Sequence, residues 1–416
     1  MPRRRLTAAW VAPMDGPPIP RGAVLVGDDG RIEAVGPDAT VPAPAGTAAT
    51  DHPDSMLLPG FVNTHTHLEL TGFEGRVPEH DFSAWIRRVR SLKAERDSTE
   101  FLEAARRGLA ACYSAGVTTV ADTGDSGAVI EALSEAGGSG IAYHEVFGPH
   151  PDQLVESLTG LQRRVDELRR FTSERVRLGV SPHAPYTVSA PLYMSVARWA
   201  EREGWPIAVH LAESRAETEL LASASGAFAE AWTARGIPLP PLPGRSPVAW
   251  LESHGVLGPA TLAIHAVQVD TADVARLARH GTAVAHCPLS NRRHGHGEAP
   301  LRTLLDAGIR VGIGTDSVAS VGRLDLLAEA RAARTLAGLD AEQALAMVTR
   351  EAARALGLDG EVGVLRCGAW ADIAAIGIPT AATPNFAYEA ALGSDVRDLR
   401  ETLVGGRTVY RRALAP

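Results

Sequence analysis

Residues 57–70 read LLPGFVNTHTHLEL. The stretch opens apolar, turns at Pro59-Gly60 and ends in His65-Thr66-His67. Side chains alternate along a strand, so residues two apart point the same way. A His-x-His at a strand end therefore aims two imidazoles at one point, and imidazole nitrogen ligates zinc, iron or nickel. Two histidines do not complete a site, so the remaining ligands must come from elsewhere in the chain.

Working outward, apolar runs recur at Phe61–Thr64, Val117–Ala121, Ile141–Val146, Val176–Val180, Ile207–Val209, Thr261–Ile264, Ala283–Ala285 and Val311–Ile313. Amphipathic helical stretches lie between most of them: Phe101–Ala115, Gln153–Arg170, Ala190–Glu203, Thr271–His280 and Pro300–Ala307. Apolar strands alternating with helices imply a parallel sheet covered on both faces. Eight such units over about 270 residues predict an α/β fold, a (β/α)8 TIM-like barrel. A doubly wound sheet is the alternative, but no GxGxxG follows the first strand.

The chain ends read differently. Arg31–Val35 alternates after the turn signal Gly27-Asp28-Asp29-Gly30, and Leu403–Tyr410 reads as a second hairpin. Gly363–Ile373 reads as a return to β-structure after a helix over Asp340–Leu356. The expected organisation is a small β-sandwich domain built from 1–56 and 361–416, with the barrel at 57–360 between them. A spacer of about fifty residues separates Val209 from Thr261 and contains the proline-rich Ile237–Gly244. It is either an active-site wall or a surface loop.

Barrel active sites sit at the C-terminal ends of the strands. There the sequence offers His65 and His67 after the first run, His183 after the fourth, His210 and Glu213 after the fifth, His265 after the sixth and Asp316 after the eighth. Five imidazoles and two carboxylates share one predicted rim.

Composition narrows the function. The 416 residues are 45% hydrophobic and 22% charged, and the net charge is −8. That argues against nucleic acid and anionic membranes as partners. Cys112, Cys287 and Cys367 are far apart and read as free thiols of a reducing compartment. No adequate apolar segment marks a signal peptide or a membrane span, so the expected location is cytoplasmic. Lys93 is the only lysine among forty-one Lys and Arg residues.

The stretches PGFVNTHTHLE, SPHAPYTVS, VHLAES, IHAVQVD, HCPLSN and GIGTDSVAS resemble the amidohydrolase superfamily, in its metal-dependent aminohydrolase branch of nucleobase and nucleoside deaminases. The resemblance spans nearly the whole chain. It implies that His65, His67, His210 and Asp316 hold one divalent metal, zinc first and iron(II) as the alternative. Binuclear relatives bridge two metals through a carboxylated lysine on the fourth strand, where this chain has none. His183 stands there instead, where related deaminases place a substrate-contacting histidine.

The implied chemistry is hydrolytic deamination. The metal lowers the pKa of water. Asp316 takes the water proton, His265 orients the nucleophile and Glu213 protonates the ring nitrogen beside the carbon under attack. The alternative for Glu213 is a carboxylate at a helix start.

Within the branch the motifs look most like aminodeoxyfutalosine deaminases of the futalosine route to menaquinone, which act on an aminopurine nucleoside carrying a benzoate. S-adenosylhomocysteine, methylthioadenosine or guanine deaminases and triazine chlorohydrolases are the open alternatives. A non-catalytic barrel acting as a binding protein is the remote one. Candidate substrate contacts are His183, Glu69, Trp85 with Phe82, Arg215 with Arg292 or Arg293 for a carboxylate, and Ser290 and Asn291. His294 and His296 read as histidines of a glycine-rich loop, in a segment where relatives often carry apolar residues and glycines. A homodimer is implied by analogy alone.

Overall fold

The structure is a computed structural model describing residues 2–79, 81–240, 244–380 and 383–413. Fifteen strands form two sheets among these residues. The first four are β1 (Arg4–Val11), β2 (Ile19–Val26), β3 (Ile32–Pro37) and β4 (Ala48–Pro59). Eight follow in the middle of the chain: β5 (Phe61–Thr66), β6 (Val117–Gly124), β7 (Ser139–Val146), β8 (Val176–Pro182), β9 (Ile207–Leu211), β10 (Thr261–His265), β11 (Ala283–His286) and β12 (Val311–Ile313). The last are β13 (Ile373–Gly377), β14 (Leu399–Val404) and β15 (Arg407–Arg411).

Strands β5 to β12 pair in sequence order, every pair parallel. The barrel closes where the backbone N–H groups of Thr315 and Asp316 donate to the carbonyl of His65, at 3.1 and 3.0 Å. Glycine is required at this seam. A Cβ on Gly314 would lie 2.7 Å from the His65 nitrogen, and one on Gly312 would lie 2.3 Å from the Thr64 side chain. All eight strands expected from the apolar runs are present.

Alternation along each strand divides the core in two. Ala208, Leu262, Ile264, Ala283 and Ala285 pack inside, with Ala352 of the helix Arg350–Ala355. Their neighbours Val209, Ala263 and Val284 face the outer helices. The barrel is thus filled from below, and its C-terminal mouth is left for function.

Both chain ends join in one small β-unit, a single sheet where a β-sandwich was expected. Its strands form a continuous sheet in the order β15-β14-β13-β4-β1-β2-β3. The half-buried Arg175 grips Asp372 at 2.7 Å and ties this sheet to the entry of β8.

Two segments depart from expectation. Residues 363–372 are turns and loop with one isolated bridge, Trp370 to Arg31, and the strand begins only at Ile373. Gly363 and Gly368, at φ 76° and 88°, break the extended path. Asp340–Leu356 is two helices, Ala341–Ala346 and Arg350–Ala355.

The long spacer folds into the helices Arg215–Ser223, Gly226–Ala234 and Pro247–Ser253. Part of Ile237–Gly244, residues 241–243, lies outside the described residues. The spacer is clamped to the mouth: Phe228 stacks on Tyr186 at 4.2 Å, and the Trp232 indole donates to the Tyr186 carbonyl at 2.9 Å. No helix among the described residues is long and apolar enough to cross a membrane.

Candidate active site

The strand exits are bent to serve the mouth. Ala212, His265, Ala266 and Asp316 adopt left-handed backbone at φ 51°, 76°, 48° and 60°. Such conformations cost non-glycine residues about 1–3 kcal/mol each, and the surrounding structure must impose them. On β10 the inward residues are Leu262 and Ile264, so strict alternation would send His265 outward. Its positive φ turns it over the mouth instead. On β5 a register shift between Asn63 and Thr66 re-aims the strand end in the same way.

His67 and His210 bring their Nε2 atoms within 3.4 Å of each other. The Nδ1 of His67 faces the Thr123 carbonyl at 2.7 Å, and that of His210 faces the His183 carbonyl at 3.2 Å. A carbonyl only accepts, so each Nδ1 carries the ring proton and each Nε2 is a bare lone pair. Two lone pairs at that distance repel unless a cation lies between them. His65 presents a buried Nε2 with no hydrogen-bond partner. Asp316 Oδ1 lies 3.7 Å from that atom and 3.6 Å from His67 Nε2. Three neutral nitrogens and one carboxylate, with the ring tautomers of His67 and His210 fixed by carbonyls, fit a single divalent ion such as zinc.

Asp316 is held on both oxygens. Ser317 N–H donates to Oδ1 at 2.6 Å and the Ser290 hydroxyl to Oδ2 at 2.5 Å. His265 donates from Nδ1 to Asn291 Oδ1 at 3.0 Å, which leaves Nε2 facing Glu213 Oε1 at 3.5 Å. The turn that presents Glu213 is pinned by the buried Glu217, whose carboxylate accepts from the N–H groups of Ala212 and Glu213, each at 2.9 Å. Burial pushes the Glu213 carboxyl up, but the imidazoles of His265 and His296 outweigh it and bring it to about 2.

A cavity of about 450 Å³ opens in front of these groups. The helix Phe82–Ala94 supplies one wall. Phe82, Trp85, Ile86, Val89 and Arg90 all line the cavity, at the i, i+3, i+4, i+7, i+8 spacing of one helix face. His183 also lines it. Its Nδ1 donates to the Thr187 hydroxyl at 2.8 Å while that hydroxyl donates to the Ala184 carbonyl, so Nε2 is free for a ligand.

The sequence-expected residues separate here. His65, His67, His210, Asp316, His265 and Glu213 come together, and His183 and Trp85 line the cavity they face. Arg215 does not: its side chain is 86% exposed and paired with Glu219. Glu69 is buried and bound to Lys93 at 2.5 Å and to Ser126, so it braces Lys93 rather than a substrate. Ser290 and Asn291 hold Asp316 and His265 and do not line the cavity. His294 and His296 lie in the loop after the helix Pro288–Arg293, as read, and are buried against Phe82.

Sequence reading missed Arg90, Glu145, Arg235 and the pairing of His296 with Glu213. Arg90 had a signal, the last position of an apolar helical stripe. Arg235 had none, because the spacer's helices alone bring it to the cavity.

Comparison with known proteins accords with this geometry. A model of the Amidohydrolase family matches residues 56–409. The chain belongs to the amidohydrolase family. It is a hydrolase of carbon–nitrogen bonds other than peptide bonds. Among amidohydrolases, it is 32% identical over 422 residues to a 5-methylthioadenosine/S-adenosylhomocysteine deaminase of Moorella thermoacetica, covering 97% of this chain and 92% of that one. It is 31% identical over 369 residues to an aminodeoxyfutalosine deaminase of Deinococcus radiodurans, covering 85% of each. The fold matches a zinc-bound adenosine deaminase of Xanthomonas campestris with a TM-score of 0.83 at 24% identity, over 97% of this chain and 92% of that one.

The buried ionisable groups give a pH prediction for the metal-free chain. Burial lowers His67 and His183 to about 3 and His144 and His286 to about 4. Unfolding lets these imidazoles take up protons, so their contribution is full above pH 6.5 and is lost as pH falls. Burial raises Glu145 and Glu217 to about 8. Their contribution is full below the ordinary carboxyl value and is lost as pH rises through 8. Each group changes stability by up to about 1.4 kcal/mol per pH unit within its window. Histidines dominate on the acid side and carboxyls between 6.5 and 8. Calorimetry should therefore show the highest Tm near pH 6.5, falling on both sides. A Tm that climbs steadily from pH 6.5 to 8 would contradict the assignment.

Proposed function

We propose that the chain removes the exocyclic amine of the adenine ring in a 5′-substituted nucleoside, using one zinc ion. The observation that carries this reading is the convergence of Glu213, His265 and Asp316 on the point that three imidazoles face. A metal held by His65, His67, His210 and Asp316 would supply the Lewis acidity that lets water act as a nucleophile at neutral pH. Asp316 takes the proton of the attacking water at a carboxylate oxygen. His265 Nε2 orients that water. The second water proton passes by way of the Glu213 carboxylate, which accepts and then releases it, to the ring nitrogen beside C6, and the proton held by Asp316 goes to the amine, which leaves as ammonia.

The favoured substrate is 6-amino-6-deoxyfutalosine. Its benzoate would enter the wall of Phe82, Trp85, Phe147 and Tyr186. Arg90 and Arg235 stand on the same cavity with no partner among the described residues, and guanidinium pairs a carboxylate bidentately. S-adenosylhomocysteine is the second reading, because Asp125, paired with Lys93, lines the cavity too and offers a carboxylate to an ammonium group.

Specificity constants for 6-amino-6-deoxyfutalosine, S-adenosylhomocysteine, methylthioadenosine and guanine test the proposal. The benzoate nucleoside should rank first. Replacing Arg90 and Arg235 together by Gln should raise its KM by about tenfold or more and leave that of methylthioadenosine unchanged, since a charged hydrogen bond is worth about 1.5–3 kcal/mol. Equal effects on both substrates would overturn the carboxylate assignment.

A further inference from the structure

We propose that His296 is a positioning residue for the reaction: its imidazole holds the Glu213 carboxylate turned toward the ring nitrogen it must protonate. The inference rests on the deaminase reading above and adds a residue to it.

His296 Nε2 lies 3.3 Å from Glu213 Oε1, and His265 Nε2 lies 3.5 Å from the same oxygen. Both contacts fall on Oε1 of a carboxylate that lines the cavity. His296 is 6% exposed, and its buried Nε2 makes no hydrogen bond among the described residues, so the Glu213 carboxylate is met as an ion-pair contact. A buried ring nitrogen without a partner is costly, so the carboxylate is the physical reason for the ring's placement.

The backbone is shaped to put it there. Gly295 and Gly297 flank it at φ 66° and 102°, in the region that favours glycine. The His296 N–H donates to the Asn291 carbonyl at 2.9 Å, and its own carbonyl accepts from the Gln268 amide at 2.5 Å. Phe82 meets the ring edge-on at 4.5 Å between centroids. Asn291 also holds His265 through its side chain. One short helix, Pro288–Arg293, thus sets both imidazoles that face Glu213.

A packing role alone would survive replacement by an aromatic ring of similar shape. In the zinc-loaded full chain, His296→Phe should lower kcat by about tenfold to a hundredfold, within what one proton-transfer group contributes. KM, zinc content and Tm should stay near wild type. His296→Gln keeps an N–H donor and should recover most of the rate. A second readout needs no substrate and so decides the point even if no nucleoside is turned over. Proton NMR should show a downfield imidazole N–H that disappears in His296→Gln and moves upfield in Glu213→Gln. Wild-type kcat in His296→Phe, or no proton sensitive to both substitutions, would overturn the proposal. If His296→Phe does not fold, the NMR comparison alone settles it.

Discussion

Glu213→Gln is expected to lower kcat by about a hundredfold to ten-thousandfold while the protein keeps its metal and its fold. The amide has nearly the same shape and can still face His265 and His296, but it cannot carry a proton to the purine ring. Glu213 is not among the four side chains proposed to hold the metal, and its N–H anchors on Glu217 through the backbone, so neither metal binding nor the turn should suffer. Zinc analysis and steady-state ammonia release on the same sample check this. Wild-type turnover in the variant would mean that another group shuttles the proton.

His67→Ala is expected to lose both metal and activity. Its imidazole is one of two whose bare Nε2 atoms face each other at 3.4 Å, and its Nδ1 is fixed by Thr123. Removing it leaves three metal-facing side chains and a gap in the ring. The rate should fall by at least the factor expected for Glu213→Gln, because without the metal no nucleophile forms at neutral pH. Addition of excess zinc should restore little. Zinc bound at wild-type stoichiometry in this variant would show that the ion sits elsewhere.

Much of the barrel was legible because its strands are buried on both faces. Runs such as Thr261–Ile264 are apolar throughout, and helices separate them. The metal-facing residues were legible for the same reason: each follows such a run directly, so the strand fixes its position at the rim. The resemblance then supplied roles that position alone cannot.

What was hidden depends on contacts between distant segments. Nothing in PLSN says that Ser290 will meet Asp316 or that Asn291 will meet His265, since a hydroxyl or an amide bonds whatever the fold presents. His296 sits between two glycines whose φ values are set by the folded loop, so its direction could not be read from spacing. Arg215 misled because proximity in sequence to Glu213 is not proximity in space: the helix starting there carries it to the surface. Residues 363–372 were apolar enough to suggest a strand, yet two glycines with positive φ interrupt it.

The central claim is that one metal, held by His65, His67, His210 and Asp316, drives deamination of an adenine nucleoside. Its most direct test is zinc titration into the metal-free chain, with ammonia release from 6-amino-6-deoxyfutalosine and the other adenine nucleosides followed at each point. The account predicts that ammonia release rises with zinc and saturates at one equivalent per chain. Saturation at two equivalents, or no ammonia from any of these nucleosides in the loaded protein, would contradict it.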